Sequence, residues 1–183
     1  MIQTGRRPTG AAVKISEKDQ LAEGKIGGIL ATVLAAAVLL ALAACSPVKK
    51  PEDAMPDTLA GMERVRLVTG QEAIDRVNDL HGKPLEIEKC AIGMYGGNDR
   101  PAVVWISSPK KPADARDQAM SMIESMQNKA GPFKGPEKLT SHGIDIYKFT
   151  GMGQEHFVFT KEGLAFWIST PPDYGTKALQ EFF

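Results

Sequence analysis

The spacing of apolar positions in residues 58–183 predicts three helices. The first begins after Thr69, where Thr69-Gly-Gln-Glu72 matches a capping box, and ends at His81-Gly82. The second begins near Pro112 and stops before Gly131-Pro132. The third is short and runs from about Tyr174 to the end of the sequence. Each helix has one apolar side, so each is expected to pack against a sheet.

Alternating and continuous apolar runs predict five strands around these helices. They are Leu85–Tyr95, Pro101–Ser107, Ile144–Thr150, His156–Thr160 and Leu164–Ser169. The order α-β-β-α-β-β-β-α, with short connections, predicts an α+β domain. Its antiparallel sheet of about five strands is expected to have the helices on one face.

One short segment occurs twice, as Trp105-Ile-Ser-Ser-Pro109 and as Trp167-Ile-Ser-Thr-Pro171, 62 residues later. Each copy ends a predicted strand that has a glycine turn before it and a helix after it. The recurrence favours an internal ββα duplication, and the alternative is convergence of two strands on similar chemistry. A duplication predicts a pseudo-twofold axis with the two Trp-Ile-Ser strands in equivalent places.

The N-terminal quarter has a different character. Ile26 to Ala44 is a run of 19 residues without charge, preceded by Lys25 and ending in Leu42-Ala43-Ala44-Cys45. This ending resembles the lipobox of a bacterial lipoprotein signal peptide. The resemblance implies that residues 1–44 are removed, that the Cys45 thiol carries a diacylglyceryl group, and that the new amino terminus is acylated.

The alternative is an uncleaved transmembrane helix, because 19 apolar residues can span a bilayer. Residues 1–25 carry five Lys/Arg and three acids, so both alternatives place residues from 46 onward outside the cytoplasm. Residues 1–24 are long and mixed in charge for a signal peptide, and a start at Val13 or Leu21 is a hypothesis. Ser46 resembles the sorting residue of outer-membrane lipoproteins.

Residues 45–57 contain three prolines and mixed charge, which predicts a flexible tether behind the lipidated cysteine. Residues 58–183 are then expected to form a single α+β domain. Residues 45–183 carry 17 of the 22 Lys/Arg and 19 of the 22 Asp/Glu. This slightly acidic balance gives no electrostatic case for nucleic acid as a partner.

The candidate site is a face of the predicted sheet. Alternation along two strands places Val103 and Trp105 on the same side, and Trp167 on the matching side of the later strand. The opposite side, rich in Leu, Ile and Phe, is expected to pack the helices. The tryptophan side is then an open apolar patch for a partner or ligand. The alternative is that the tether, residues 58–68 or a loop covers it.

Other side chains offer little chemistry. Cys90 is expected to be a buried, inert thiol, and His81, His142 and His156 are expected at surface or capping positions. No metal or cofactor site is predicted, and an enzyme is the less favoured class. The sequence therefore predicts a non-catalytic, membrane-anchored envelope lipoprotein whose domain binds or supports another envelope component. The alternative is a small-ligand binder or enzyme using the face with Trp105 and Trp167.

Overall fold

The computed structural model describes residues 49–82, 84–97, 101–127 and 130–183, so the lipobox with Cys45 lies outside the described residues. The strands are β1 (Thr58–Leu59), β2 (Met62–Thr69), β3 (Ile87–Tyr95), β4 (Ala102–Pro109), β5 (Phe133–Ser141), β6 (Ile144–Gly151), β7 (Gln154–Lys161) and β8 (Leu164–Thr170). The helices are α1 (Gly70–His81), α2 (Ala115–Met126) and α3 (Gly175–Gln180). The strands form one antiparallel sheet, curled into a half-barrel, in the order β1-β2-β3-β4-β8-β7-β6-β5.

The predicted sheet of five strands with helices on one face is wrong. The five predicted strands correspond to β3, β4, β6, β7 and β8, and the described residues add β1, β2 and β5 at the two edges. Helices also lie on both faces, because α1 and α2 pack on one face and α3 packs on the other.

The added strands lack the apolar pattern of inner strands. In β2 the arginines at 64 and 66 alternate with Val65 and Leu67, and only Val68 is buried. In β5 the pair Gly135-Pro136 interrupts a polar sequence with no fully buried residue. An edge strand buries little and tolerates proline, so hydrophobic periodicity does not reveal it.

The two strands with the repeated segment are neighbours. β4 pairs with β8 so that Trp105 lies directly opposite Trp167. The strand order is symmetric about this pair, but the connections are not, because α1 joins β2 to β3 whereas a tight turn joins β6 to β7. A ββα duplication accounts for β3-β4-α2 and β7-β8-α3, but it does not account for β1, β2, β5 and β6.

One face of the sheet, which we call the aromatic face, carries a single continuous core. Phe157, Phe159, Phe166 and Phe182 are buried in it, and α3 together with the 3-10 turn Pro51–Ala54 covers it. The rings of Phe159 and Phe166 stack with centroids 4.7 Å apart, and Phe182 meets Phe166 edge to face at 5.7 Å. Such pairs add to the stabilisation from apolar burial alone.

The segment before β1 is packed against this face. Pro51 and Met55 are buried, the Arg64 guanidinium donates to the carbonyls of Met55 (3.1 Å) and Pro56 (3.0 Å), and the Tyr95 hydroxyl donates to Pro56 at 2.8 Å. Composition predicts a flexible tether over residues 45–57, yet the chain is held from Pro51 onward. No helix in the described ranges is long and apolar enough to cross a membrane.

Candidate binding groove on the tryptophan face

The other face of the sheet, the tryptophan face, carries Val103, Trp105 and Trp167. Its core is divided into two clusters. One joins α1 to β2 and β3 through Val68, Ala73, Val77, Ile87, Cys90 and Ile92. The other joins α2 to β6, β7 and β8 through Ala119, Ile123, Met126, Phe149, Val158 and Ala165.

The candidate residues lie between these clusters. Val103 and Trp105 border the α1 cluster and Trp167 borders the α2 cluster. All three are only partly buried. The face is therefore neither open nor covered by the tether or a loop, because two helices cover it and leave a gap above the tryptophan pair.

This gap is a groove. Directly above the indole rings it is a narrow cavity of about 20 Å³, with Val77 and Leu80 on one side and Met122 on the other. A wider cavity of about 300 Å³, lined in part by Pro109, lies next to it. Both cavities are lined by His81, Leu85, Gln118 and Met122, and we call the two together the helix groove.

Local hydrogen bonds fix the walls of the helix groove. α1 ends at Gly82, whose φ of 63° is a left-handed conformation that glycine adopts easily. The Asn78 side-chain oxygen then accepts from the Leu85 amide at 2.9 Å, which brings Leu85 back to the wall. On the other side, the Ser107 hydroxyl donates to the Gln118 side chain at 3.2 Å. The sequence gives no hint of these wall residues beyond the apolar stripes of the two helices.

The start of α1 differs in detail from its prediction. The helix begins directly after Thr69, but the Thr69 side chain makes no capping hydrogen bond. The Glu72 carboxylate instead accepts from Arg66 (3.3 Å) and from Arg76 (2.9 Å). These exposed ion pairs replace the predicted capping box.

The wide end of the helix groove has an acidic rim made of Glu86, Asp114 and Asp117. Glu86 pairs with Lys110, and this hydrogen bond and charge lower the pKa of Glu86 and raise the pKa of Lys110. Within the part of the chain that the structure describes, Asp114 and Asp117 form no ion pair. The groove thus combines an apolar floor with a negative mouth.

A buried polar group supports Trp167 from beneath. His156 donates from Nε2 to the Gly151 carbonyl (3.1 Å), so its Nδ1 accepts from the Ser169 hydroxyl (2.8 Å). The Trp167 indole N–H points at the same nitrogen from 3.3 Å. Burial lowers the pKa of His156, against an opposing contribution from the Gly151 hydrogen bond, and favours the neutral ring.

This arrangement corrects the surface position expected for His156. Its side chain lies on the tryptophan face because it alternates with the buried Phe157 along β7, and only 3% of the residue is exposed. Ser169 lies within nucleophile–base distance of His156 but is itself 7% exposed and faces no described cavity. The pair contacts Trp167 through His156 Nδ1, which Ser169 also reaches.

Two further candidates, Cys90 and His81, lie at structural positions. Cys90 is buried, as expected, and burial raises the pKa of its thiol to about 12. His81 closes α1 by donating from Nδ1 to the Val77 carbonyl at 2.8 Å. No cluster of three or more His, Cys, Asp or Glu suited to a metal ion occurs within the described ranges.

No family model, curated protein or solved structure matches the chain. The fold defines it as a protein with an eight-stranded, curled antiparallel sheet and three short helices. Its function must therefore be argued from the residues of the site.

Proposed function

We propose that the protein is a lipid-anchored lipoprotein of the cell envelope, with an outer-membrane location favoured by Ser46. The folded domain is a non-catalytic module that binds another envelope component in the helix groove. The lipobox resemblance at Leu42-Ala43-Ala44-Cys45 supports the anchor. Several acyl chains at Cys45, each methylene contributing about 0.8 kcal/mol, exceed what stable membrane attachment requires.

The observation that carries the binding role is the gap between two helices above the partly buried tryptophan pair. Tryptophan is enriched among the residues that dominate protein–protein binding energy, especially where surrounding side chains exclude water. Here Leu80, Leu85 and Met122 provide that apolar surround. A side chain protruding from a partner would fit the wide cavity of about 300 Å³, whereas the void of about 20 Å³ above the tryptophans has room for about one water molecule.

Two observations support a non-catalytic role. The pair of side chains with nucleophile–base geometry, Ser169 and His156, is sealed beneath Trp167. The Cys90 thiol is buried and stays protonated at neutral pH. Ser169 and His156 line no described cavity, and Cys90 lines the narrow part of the helix groove as a protonated thiol.

A small-ligand binder remains the second candidate, because the wide end of the groove has about 300 Å³ of space. That volume is at the lower limit of ordinary small-molecule pockets. The acidic rim would suit an amphipathic cation. Another cavity, of about 470 Å³, lies beside α3 on the aromatic face and is lined by Leu139, Ile146, Leu179 and Phe183. It has no tryptophan and serves below as a comparison.

Mass spectrometry of the amino-terminal peptide tests the anchor. The protein purified from membranes is expected to begin at Cys45 with diacylglyceryl and amide-linked acyl groups. The variant Cys45→Ala is expected to retain residues 1–44. A wild-type chain with an unmodified Cys45, or one that still carries residues 1–44, would contradict the proposal.

Substitutions at the rim of the helix groove test the binding role. Leu80 is 55% exposed and Ser121 is exposed, so Leu80→Asp and Ser121→Arg should alter the groove while leaving folding intact. Both are expected to abolish crosslinking to an envelope partner in intact cells. Met152→Asp is the matched control, because Met152 is 75% exposed and lies in the β6–β7 turn, away from the groove. Undiminished crosslinking in both groove variants would refute the proposal, and a small molecule bound by the wild type alone would favour the second candidate.

A further inference from the structure

We infer that one end of the sheet, the end with the β7–β8 turn, faces the membrane in the lipidated protein and contacts anionic lipid headgroups. The inference rests on the proposed lipidation of Cys45. The described chain begins at this end, where the Lys49 amine lies 3.6 Å from the Glu162 carboxylate in the β7–β8 turn. The partner of this surface is the bilayer that holds the lipid.

The strand register defines which segments share this end. Three strand pairs end with the residue pairs Ser141↔Ile144, Lys161↔Leu164 and Ile87↔Pro109. The pairings of the strands between them place all three residue pairs at the same end of the sheet. We call this the near end. It comprises the turns at 142–143 and 162–163, the segment 110–114, the segment before β3 and the carboxyl terminus. Phe183 belongs to it because its ring stacks on His142 with centroids 6.0 Å apart.

Chain length restricts how the lipidated domain can be oriented. Only Ser46, Pro47 and Val48 separate Cys45 from Lys49. Because an extended chain spans at most about 3.6 Å per residue, Lys49 can lie no more than about 14 Å from the Cys45 Cα. An eight-residue strand is about 26 Å long, so turning the opposite end toward the bilayer would require a longer connection. Because the chain is packed from Pro51 onward, the connection could become longer only if this segment unfolded locally.

The near end carries two exposed lysines beside the acidic rim of the helix groove, and these lysines are the groups that can contact anionic headgroups. Lys50 and Lys111 are exposed, and neither forms an ion pair with a described carboxylate. The acids Glu86 and Glu162 are each paired with a lysine, whereas Asp114, which belongs to the acidic rim of the helix groove, has no such pair among the described residues. Lysines near a bilayer attract anionic headgroups. Short chain length sets the orientation, and the lysines complement it.

Depth-dependent fluorescence quenching tests the inference on the lipidated chain. Because the Cys45 sulfur carries the lipid and Cys90 is buried, Lys111→Cys and Met152→Cys each introduce a selectively labelled thiol. Each labelled protein is placed in phosphatidylglycerol-containing vesicles with nitroxide headgroups. The label at 111 is expected to be quenched at least about threefold more than the label at 152, since the two ends differ by a strand length.

Two controls separate the possible failures. Mass spectrometry first verifies the lipid on Cys45, so a missing lipid is a failure of the proposed function. With the lipid present, equal quenching at 111 and 152 would overturn this inference alone. A flexible Gly/Ser insertion of about 15 residues between Val48 and Lys49 is expected to remove the difference, because it lengthens the connection beyond the strand length. Undiminished quenching at 111 in that variant would contradict the chain-length argument.

Discussion

The two faces of the sheet are covered in different ways. On the aromatic face, a 3-10 turn and the six-residue α3 complete one continuous core, because large rings fill the space between them. On the tryptophan face, two 12-residue helices produce two separate clusters with a groove between. The gap on the tryptophan face thus separates two clusters, whereas the cavity on the aromatic face lies beside a single core.

Strand spacing explains the difference. A helix is about 10 Å wide and strands lie about 4.8 Å apart, so one helix covers about two strands. α1 lies over β2 and β3, and α2 lies mainly over β7 and β8. Trp105 and Trp167 lie on β4 and β8, at the boundary between the areas of sheet that the two helices cover. The proposed function therefore assigns binding to the tryptophan face, and the continuous core assigns a large share of stability to the aromatic face.

Truncation of the aromatic core should give the largest effect on stability. Phe166 is 3% exposed and contacts the rings of Phe159 and Phe182, so Phe166→Ala is expected to lower the free energy of unfolding by about 3–5 kcal/mol. Urea denaturation of residues 49–183 measures this value. The control Val65→Ala, at a site that is 66% exposed, should change it by less than about 0.5 kcal/mol. Similar small losses in both variants would refute a stabilising role for this face.

The two tryptophans should differ from each other by a smaller amount. Trp167→Phe removes the indole N–H that points at His156, whereas Trp105 has no hydrogen-bond partner among the described residues. Trp167→Phe is therefore expected to cost about 1 kcal/mol more than Trp105→Phe in the same denaturation experiment. Equal costs would mean that the His156 contact contributes nothing to stability.

The pH dependence of stability should show the buried His156. Its pKa is lowered in the folded state, so the unfolded chain binds a proton near pH 6.5 while the folded ring stays neutral. The contribution of neutral His156 is complete above the unfolded pKa and is lost as the pH falls from about 6.5 through the lowered folded pKa. Comparing unfolding at about pH 7.5 and about pH 5.5 measures this loss. His156→Gln is expected to reduce the pH dependence, and an unchanged dependence would contradict the burial argument.

The sequence predicts the inner strands better than their surroundings. β3, β4, β6, β7 and β8 have enough buried positions for their periodicity to be visible, whereas β2 and β5, towards the two edges, do not. Periodicity also assigns an apolar face to each helix without saying which sheet face receives it. For that reason the sequence predicts the helices on the face opposite the tryptophans, whereas α1 and α2 pack on the tryptophan face.

The candidate site was predicted in part. The repeated Trp-Ile-Ser segment identifies Trp105 and Trp167, which the fold brings together as a cross-strand pair. The groove walls at Leu85, Gln118 and Met122 depend on the packing of α1 and α2, which are far apart in the sequence. The contact of Trp167 with His156 likewise depends on the pairing of β7 with β8. Contacts between residues that are far apart in the sequence cannot be predicted from the local spacing of apolar residues.

Site-specific photocrosslinking in intact cells tests the central claim that the tryptophan face is the binding face. A photoreactive phenylalanine at position 121 lies at the helix groove, and one at position 176 lies at the cavity beside α3. Both positions are exposed, so the probes differ chiefly in the face that they sample. We predict a discrete crosslinked partner from position 121 and none from position 176. A partner captured only from position 176 would contradict the account.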